Sequence, residues 1–256
     1  MTNSVADSAF LRACRGLPHD RVPVWFMRQA GRALEEYRQV RHEHSFEQVV
    51  RTPELAAAVT MQPVRRYGVD AAILFSDIVT PLQGIGLDIK IKPGVGPIVA
   101  NPIRTRADLE RLRGLEPTDD IPYVLDTVSL LVNELQVPLI GFAGAPFTLA
   151  SYLIEGGPSK SYSRTKAMMF AQPDLWHQLL DRLAGIVAAC LQAQVEQGAA
   201  AVQLFDSWAG ALHPQDYATF VLPHSRKILT SLRQSGAPRL HFGVGTGELL
   251  GLMADA

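Results

Sequence analysis

Apolar residues in this chain form short runs that alternate with longer segments in which they recur every three or four positions. Short apolar runs bounded by turn residues are typical of buried strands, and the longer pattern is typical of amphipathic helices. The runs predict five strands, at residues 22–26, 71–75, 138–142, 201–205 and 239–243. The periodic segments predict helices at residues 53–67, 123–136, 147–154, 174–197 and 217–234, and a last helix that begins near residue 248.

Glycine and proline mark several boundaries of these elements. Thr52 is expected to cap a helix that has Pro53 in its first turn and ends at Gly68. Gly198 is expected to end the long helix. Residues 86–99 alternate between apolar and polar in their first part and contain a Pro-Gly turn, which predicts an inserted β-hairpin.

Alternating strands and helices, with strands that are apolar on both faces, indicate an α/β domain on a parallel sheet. Either a doubly wound sheet or a (β/α)8 barrel has this pattern. No glycine fingerprint follows the first strand, and the distinctive residues follow the carboxyl ends of strands, where barrel enzymes carry their sites. We therefore expect one TIM barrel domain over residues 1–256. About five of its eight βα units are present, so its C-terminal units are expected to be missing.

Composition narrows the classes of partner and the compartment. The 256 residues include 24 basic and 25 acidic side chains, a net charge of −1, which argues against a nucleic-acid-binding protein. No apolar run approaches the roughly 18 residues of a membrane helix, and the N-terminus lacks a signal-peptide pattern. Two distant cysteines, Cys14 and Cys190, suit a reducing compartment. We expect a cytoplasmic protein with no nucleic-acid or membrane partner.

The most informative segment is residues 23–32, P-V-W-F-M-R-Q-A-G-R. Here Arg28 and Arg32 stand four apart, directly after the first predicted strand. A guanidinium group binds carboxylates or phosphates through two parallel hydrogen bonds, so the pair predicts an anion clamp at the end of that strand. A helix start with surface arginines is the alternative.

Three further polar residues are candidates. Asp77 follows the second strand in F-S-D, where it is either a turn cap or a carboxylate in a cleft. Tyr152 lies in an otherwise apolar segment, where a core aromatic is the more frequent role. Ser207 follows the fourth strand and is either a cap or a hydrogen-bonding group of a site. The neighbouring Asp206 is ambiguous and is left out of the predicted site.

Two strings resemble the signatures of the uroporphyrinogen decarboxylase family. They are residues 23–32 and residues 141–157, G-F-A-G-A-P-F-T-L-A-S-Y-L-I-E-G-G, and residues 75–77 and 204–207 extend the similarity over most of the chain. The resemblance implies a TIM barrel that forms a homodimer. It also implies cofactor-independent decarboxylation of the four acetate side chains of uroporphyrinogen III, which gives coproporphyrinogen III in haem biosynthesis. A protonated pyrrole is its own electron sink, so no cofactor or metal is expected.

The resemblance also implies roles for individual residues. Asp77 would receive the four pyrrole N–H groups and stabilise the ring cation. Arg28, Gln29 and Arg32 would bind substrate carboxylates, and Arg28 would also act on the transition state.

The hydroxyl of Tyr152 would face the cleft and act with Asp77 and Arg28 in catalysis, and Ser207 would hydrogen-bond a carboxylate. The family also uses a histidine near its last strand, and none of the seven histidines here corresponds to it.

Two other functions are compatible with the same architecture. Corrinoid-dependent methyltransferases use zinc held by thiolate and imidazole groups, whereas Cys14 and Cys190 lack a nearby His-x-Cys partner. The third possibility is a truncated, non-catalytic chain that binds tetrapyrrole.

Overall fold

A computed structural model of the chain describes residues 5–27, 30–31 and 33–256. The described residues contain six strands: β1 (Ala72–Ile73), β2 (Ile89–Lys92), β3 (Gly96–Val99), β4 (Leu139–Gly144), β5 (Ala201–Asp206) and β6 (Arg239–Gly243). They also contain α1 (Ala9–Cys14), α2 (Glu35–Glu43), α3 (Phe46–Arg51), α4 (Pro53–Tyr67), α5 (Thr80–Gly84), α6 (Pro117–Asp120), α7 (Pro122–Glu134), α8 (Pro146–Glu155), α9 (Ser163–Ala171), α10 (Pro173–Glu196), α11 (Pro214–Phe220), α12 (Leu222–Ser231) and α13 (Leu250–Ala254). Short 3-10 helices lie at Val5–Asp7, Ala107–Arg111, Ala209–Ala211, Arg233–Ser235 and Gly247–Leu249.

Four of the strands form one parallel sheet in the order β1-β4-β5-β6. Leaving aside the inserted hairpin, strands that are neighbours in the sheet follow one another along the chain. A doubly wound sheet reverses its order at a switch point, and this sheet does not. β2 and β3 pair antiparallel as the inserted hairpin, which confirms that prediction.

Side chains of the sheet alternate between two layers. On one face, Leu139, Ala143, Val202 and Leu204 pack in the large core, to which the helices between the strands contribute. On the other face, residues that include Ile73, Ile140 and Phe205 form a smaller cluster. Phe10 and Leu11 of α1 complete that cluster, so the N-terminal helix covers part of the inner face. Crossover helices on one face and a narrow inner core on the other are the layers of a (β/α)8 barrel.

Burial along the sheet shows where the sheet is open. Every residue of β5 is buried, whereas Arg239 of β6 is exposed and the rest of that strand is half-buried. Within the part of the chain that the structure describes, β6 pairs only with β5, so one of its edges carries no partner strand.

The first predicted strand, residues 22–26, is wrong. This segment belongs to no sheet, and Val22 is 78% exposed. It is tied instead to Asp70: the Val24 N–H donates to Asp70 Oδ2 at 2.7 Å, and the Asp70 N–H donates to the Val24 carbonyl at 2.8 Å. The sheet therefore contains four of the five strands expected.

Helix boundaries largely follow their capping signals. α4 begins at Pro53 after Thr52, although the Thr52 side chain makes no capping bond, and Gly68 ends it with φ of 61°. Gly198, with φ of 108°, follows α10. The five helices α2, α3, α5, α6 and α9 were not predicted. No helix among the described residues is both long enough and apolar enough to cross a membrane.

The predicted helix at residues 217–234 is wrong in its continuity. α11 and α12 are separate helices that meet at Val221, and Pro223 lies in the first turn of α12. Proline has no N–H to bond the carbonyl four residues earlier, and its ring collides with that carbonyl, so it favours a break in the helix at this position.

α10 is fastened to the sheet through one buried amide. Gln194 Nε2 donates to the Phe142 carbonyl at 3.0 Å, and Gln194 Oε1 accepts the Phe142 N–H at 2.8 Å. Gln194 is 1% exposed, so these bonds form away from water. An added Cβ on Gly141 would lie 2.5 Å from Gln194 Oε1, which explains why this strand carries glycine beside Phe142.

Candidate functional site

The loops that leave the strands gather at the carboxyl edge of the sheet. Asp77 follows β1 and Ser207 follows β5, and the loops are tightly packed against one another. An added Cβ on Gly144 would lie 3.0 Å from Ile78 Cβ, so the loop after β1 lies directly against the end of β4. An added Cβ on Gly210 would lie 2.7 Å from the Gly245 carbonyl oxygen, which joins the loops after β5 and β6 in the same way. Glycine is required where loops approach this closely.

Asp77 is half-buried at this edge. Its Oδ1 accepts the Val79 N–H at 3.0 Å, and its own N–H donates to Thr80 Oγ1 at 3.3 Å. Burial raises the pKa of the Asp77 carboxyl above its ordinary value, and the hydrogen bond from Val79 offsets part of that rise. Asp77 therefore makes the main-chain hydrogen bond of a turn cap. It also lies at the carboxyl edge of the sheet, where the sequence predicts the site, so the two interpretations are compatible.

Tyr152 lies on α8 between two other parts of the fold. Its ring centroid is 4.1 Å from that of Trp208, which belongs to the turn after β5. On the other side, an added Cβ on Gly96 would lie 3.9 Å from the Tyr152 hydroxyl, which places that hydroxyl beside the β2–β3 hairpin. Because Ser207 belongs to the same turn as Trp208, the structure brings Tyr152 and the Ser207 turn together.

The predicted clamp residues Arg28, Gln29 and Arg32 lie outside the described residues, so their roles stay predictions. Met27, which precedes them, packs against the cluster on the inner face of the sheet.

Asp206, left out of the predicted site, is the most deeply buried carboxylate near it, with 0% exposure. Its Oδ1 accepts a hydrogen bond from the Thr148 hydroxyl at 3.0 Å, and its Oδ2 lies 4.0 Å from His241 Nε2. Burial raises the pKa of Asp206 to about 7, and burial lowers the pKa of His241. Burial therefore favours the neutral form of both groups, which weakens any ion pair between them.

Three buried polar atoms at and around Asp206 have no hydrogen-bond partner among the described residues: Asp206 Oδ2, His241 Nε2 and the Tyr217 hydroxyl. The Asp206 charge helps to raise the pKa of Tyr217, in addition to burial, so the two side chains are electrostatically coupled. The sequence offered one signal for this cluster. Asp206 ends a strand at a position that alternation assigns to the helix-facing layer, where an unpaired carboxylate is costly.

We expect the stability of the protein to depend on pH through Asp206. The folded pKa of about 7 lies above the ~3.9 of an unfolded aspartate, so the stabilisation is complete below pH ~4 and is lost as pH rises toward 7. Asp206→Asn should remove this loss. The stability of the variant relative to the wild type should therefore increase from pH 5 to 7, by at most ~1.4 kcal/mol per pH unit.

The measurement is urea unfolding of both proteins at each pH. The groups that face Asp206 are Thr148 of α8, Tyr217 of α11 and His241 of β6, and they are present in both proteins. Their own titration largely cancels in the difference. Parallel stability profiles for the two proteins would contradict the raised pKa.

An aromatic ladder lies on the inner face of the sheet. Phe142 and Phe205 meet edge to face with centroids 5.3 Å apart, and Phe205 and Phe242 do so at 5.4 Å. The residues come from β4, β5 and β6, so an aromatic surface crosses three neighbouring strands on this face. Period-two alternation along the three strands is the sequence signal for this surface. Phe147 of α8 does not belong to this ladder: it is fully buried and packs on Trp176 of α10.

Among residues 5–27, 30–31 and 33–256, no three His, Cys, Asp or Glu side chains converge in a way that could hold a metal ion.

Comparison with known proteins identifies the family. Residues 6–256 match the family model described as uroporphyrinogen decarboxylase (URO-D). A curated uroporphyrinogen decarboxylase of Streptomyces coelicolor is 62% identical over 251 residues, which cover 98% of this chain and 70% of that protein. A uroporphyrinogen decarboxylase of Geobacillus thermodenitrificans is 56% identical over 250 residues, covering 97% of this chain and 72% of that protein.

A solved structure supports the fold. A methyltransferase from Methanosarcina mazei superposes with a TM-score of 0.75 at 21% sequence identity, covering 98% of this chain and 73% of that one. Similarity at that level of identity concerns the fold alone and does not favour the methyltransferase alternative. The sequence relatives carry the assignment: this chain belongs to the uroporphyrinogen decarboxylase family, and its sheet and helices are part of a TIM barrel.

Proposed function

We propose that this chain is a carboxy-lyase that decarboxylates the four acetate side chains of uroporphyrinogen III to give coproporphyrinogen III, in haem biosynthesis and without a cofactor. The observation that carries the proposal is the family match over residues 6–256. That range includes Asp77, Tyr152 and Ser207, each of which lies at or beside the carboxyl edge of the sheet.

The chemistry is explained by the substrate. Protonation of a pyrrole ring carbon makes the ring a cation, and the bond to the acetate carboxylate then breaks with its electron pair moving into that ring. Carbon dioxide leaves, a proton added to the exocyclic carbon gives the methyl group, and loss of the first proton from the ring carbon restores the neutral pyrrole. The protein has to hold a multiply charged anion, deliver protons and stabilise a short-lived cation.

Asp77 suits the stabilisation of that cation. A puckered macrocycle points its four N–H groups at one carboxylate, and the same charge stabilises the protonated ring. The hydrogen bond from Val79 holds the Asp77 side chain in one orientation, so little reorganisation is needed during the reaction. Tyr152 and Ser207 are proposed to hydrogen-bond substrate carboxylates, and the ladder of Phe142, Phe205 and Phe242 offers the macrocycle an apolar surface.

Arg28, Gln29 and Arg32 are proposed to bind substrate carboxylates. An arginine has a pKa above ~12, which makes it a poor proton donor in water. Arg28 is therefore assigned to binding and to electrostatic stabilisation.

We expect Arg28→Lys to raise KM for uroporphyrinogen III by about 10-fold or more, because lysine keeps the charge and lacks the planar fork that binds a carboxylate twice. The measurement is steady-state kinetics on the octacarboxylate. Arg106→Lys is a matched control, since Arg106 is an exposed arginine that bonds Gln178 Oε1 at 3.0 Å. Equal kinetics for Arg28→Lys and the control would contradict the clamp.

The family's homodimer, a cytoplasmic location and a single barrel domain over residues 1–256 are further parts of the proposal. Sedimentation analysis at several protein concentrations tests the dimer. A monomer at every concentration would contradict it.

The decisive experiment is anaerobic incubation with uroporphyrinogen III, followed by chromatography of the oxidised products. We expect porphyrins with seven, six, five and finally four carboxylates to accumulate in turn. Binding of the octacarboxylate without any of these products would favour the non-catalytic alternative, and neither binding nor turnover would refute the proposal.

A further inference from the structure

The turn after β5 is held by a chain of two hydrogen bonds that pass through Thr148. The Trp208 N–H donates to Thr148 Oγ1 at 3.3 Å, and the Thr148 hydroxyl donates to Asp206 Oδ1 at 3.0 Å. Thr148 and Asp206 are each 0% exposed, so the bond between their side chains forms away from water. One threonine hydroxyl thus joins the last residue of the strand to the turn that follows it.

The same turn is held from a second direction by α8. Thr148 and Tyr152 stand four residues apart on that helix and therefore lie on the same face. Thr148 contacts the main chain of the turn, and the Tyr152 ring packs on the Trp208 ring at 4.1 Å. The turn and α8 therefore form one unit, in which the orientations of Ser207 and Tyr152 depend on each other.

We propose that Thr148, anchored by Asp206, is a positioning residue that fixes the Ser207–Trp208 turn against Tyr152. Thr148 itself does not touch substrate. The inference rests on the proposed function for the roles of Ser207 and Tyr152 as carboxylate-binding groups. Its consequence is that affinity for substrate depends on a threonine on the buried face of a helix.

Thr148→Val tests the proposal because it removes the hydroxyl and keeps the shape of the side chain. Both hydrogen bonds are lost, so the Trp208 main chain is no longer linked through Thr148 to the Asp206 carboxylate. We expect KM for uroporphyrinogen III to rise by about 5- to 10-fold, the factor that corresponds to roughly one net hydrogen bond. We expect kcat per folded molecule to change less than KM. Thr148→Ser keeps the hydroxyl and should restore KM.

Thr127→Val is the matched control. Thr127 is also a buried helical threonine, at 1% exposure, but its hydroxyl donates at 2.7 Å to the Tyr123 carbonyl of its own helix. It should leave KM unchanged. A general loss of stability would lower the active fraction in both valine variants without changing KM, so the comparison separates positioning from structural damage.

A second measurement needs no substrate. Trp208 is one of three tryptophans, and its near-ultraviolet circular dichroism is isolated by subtracting the spectrum of each variant that also carries Trp208→Phe. Packing on Tyr152 gives Trp208 a strong signal, which Thr148→Val should reduce and Thr127→Val and Thr148→Ser should preserve.

The two measurements together decide the proposal. A reduced Trp208 signal with a raised KM supports it, and an unchanged signal or an unchanged KM overturns it. If Thr148→Val does not fold, the smaller Thr148→Ala replaces it in both measurements. If the wild-type protein lacks decarboxylase activity, the proposed function fails, and an unchanged Trp208 signal would still overturn the positioning role independently.

Discussion

Asp77→Asn is expected to lower kcat for uroporphyrinogen III by ~100- to 1000-fold while the protein still folds. The substitution keeps the size of the side chain and removes the charge that stabilises the ring cation. One such electrostatic contact in a preorganised site contributes about 3–4 kcal/mol to the transition state. The asparagine Oδ1 can still accept the Val79 N–H, so the turn after β1 should persist. The measurement is the single-turnover rate of the first decarboxylation.

Asp108→Asn is the control: it removes the charge of an aspartate that only accepts hydrogen bonds from nearby residues. Asp108 also accepts main-chain N–H groups, from Arg104 at 3.0 Å and Thr105 at 2.9 Å, but it lies in a 3-10 helix between β3 and α6 and does not follow a strand of the parallel sheet. Its replacement should leave kcat unchanged. Turnover by Asp77→Asn within a few-fold of the wild type would remove Asp77 from the centre of the mechanism.

Gln194→Leu is expected to lower the free energy of unfolding by about 2–4 kcal/mol, because it leaves both main-chain groups of Phe142 without partners. Each buried polar group left unsatisfied costs roughly 1–3 kcal/mol, and the added apolar surface offsets part of this cost. The measurement is urea unfolding, in which the midpoint should fall while the slope stays the same. Since Phe142 belongs to the aromatic ladder, a shift of β4 should also weaken substrate binding.

Gln192→Leu provides the comparison on the same helix. The Gln192 amide donates to Glu196 at 2.8 Å on the exposed side of α10, so its loss should change stability by no more than ~0.5 kcal/mol. An equal loss in the two variants would mean that the bonds between Gln194 and Phe142 contribute nothing beyond general helix effects.

Three strands of the sheet, β1, β4 and β5, were predictable because each is an apolar run that is almost wholly buried, and such a run is visible in the local sequence. Residues 22–26 have the same pattern, yet Val22 and Phe26 are exposed at 78% and 52%. What differs is tertiary: the segment bonds to Asp70 before β1 begins and finds no strand beside it. An apolar run shows that a segment could be buried as a strand. Whether it is buried depends on a neighbouring strand with which it can pair.

Some residues of the site were likewise predictable from the sequence, and others were not. Asp77, Tyr152 and Ser207 belong to strings that resemble a family, and the structure places the Ser207 turn against Tyr152. Thr148 and Asp206 were missed because their bond joins residues 58 positions apart. Thr148 resembles any small residue of an apolar helix, and only the folded chain shows that its hydroxyl is shared between a strand and a turn.

The order of strands in the sheet has a consequence for how the protein is made. The order of the strands in the sheet, β1-β4-β5-β6, is also their order along the chain. Each new strand therefore pairs with one that has already left the ribosome. Domains form from the N-terminus during synthesis, and contacts between successive units cost less chain entropy than contacts between distant ones. The sheet can therefore grow one strand at a time, with the helix of each unit covering the outer face as the next strand emerges. Nascent chains would then keep most of their apolar surface covered, apart from the newest strand.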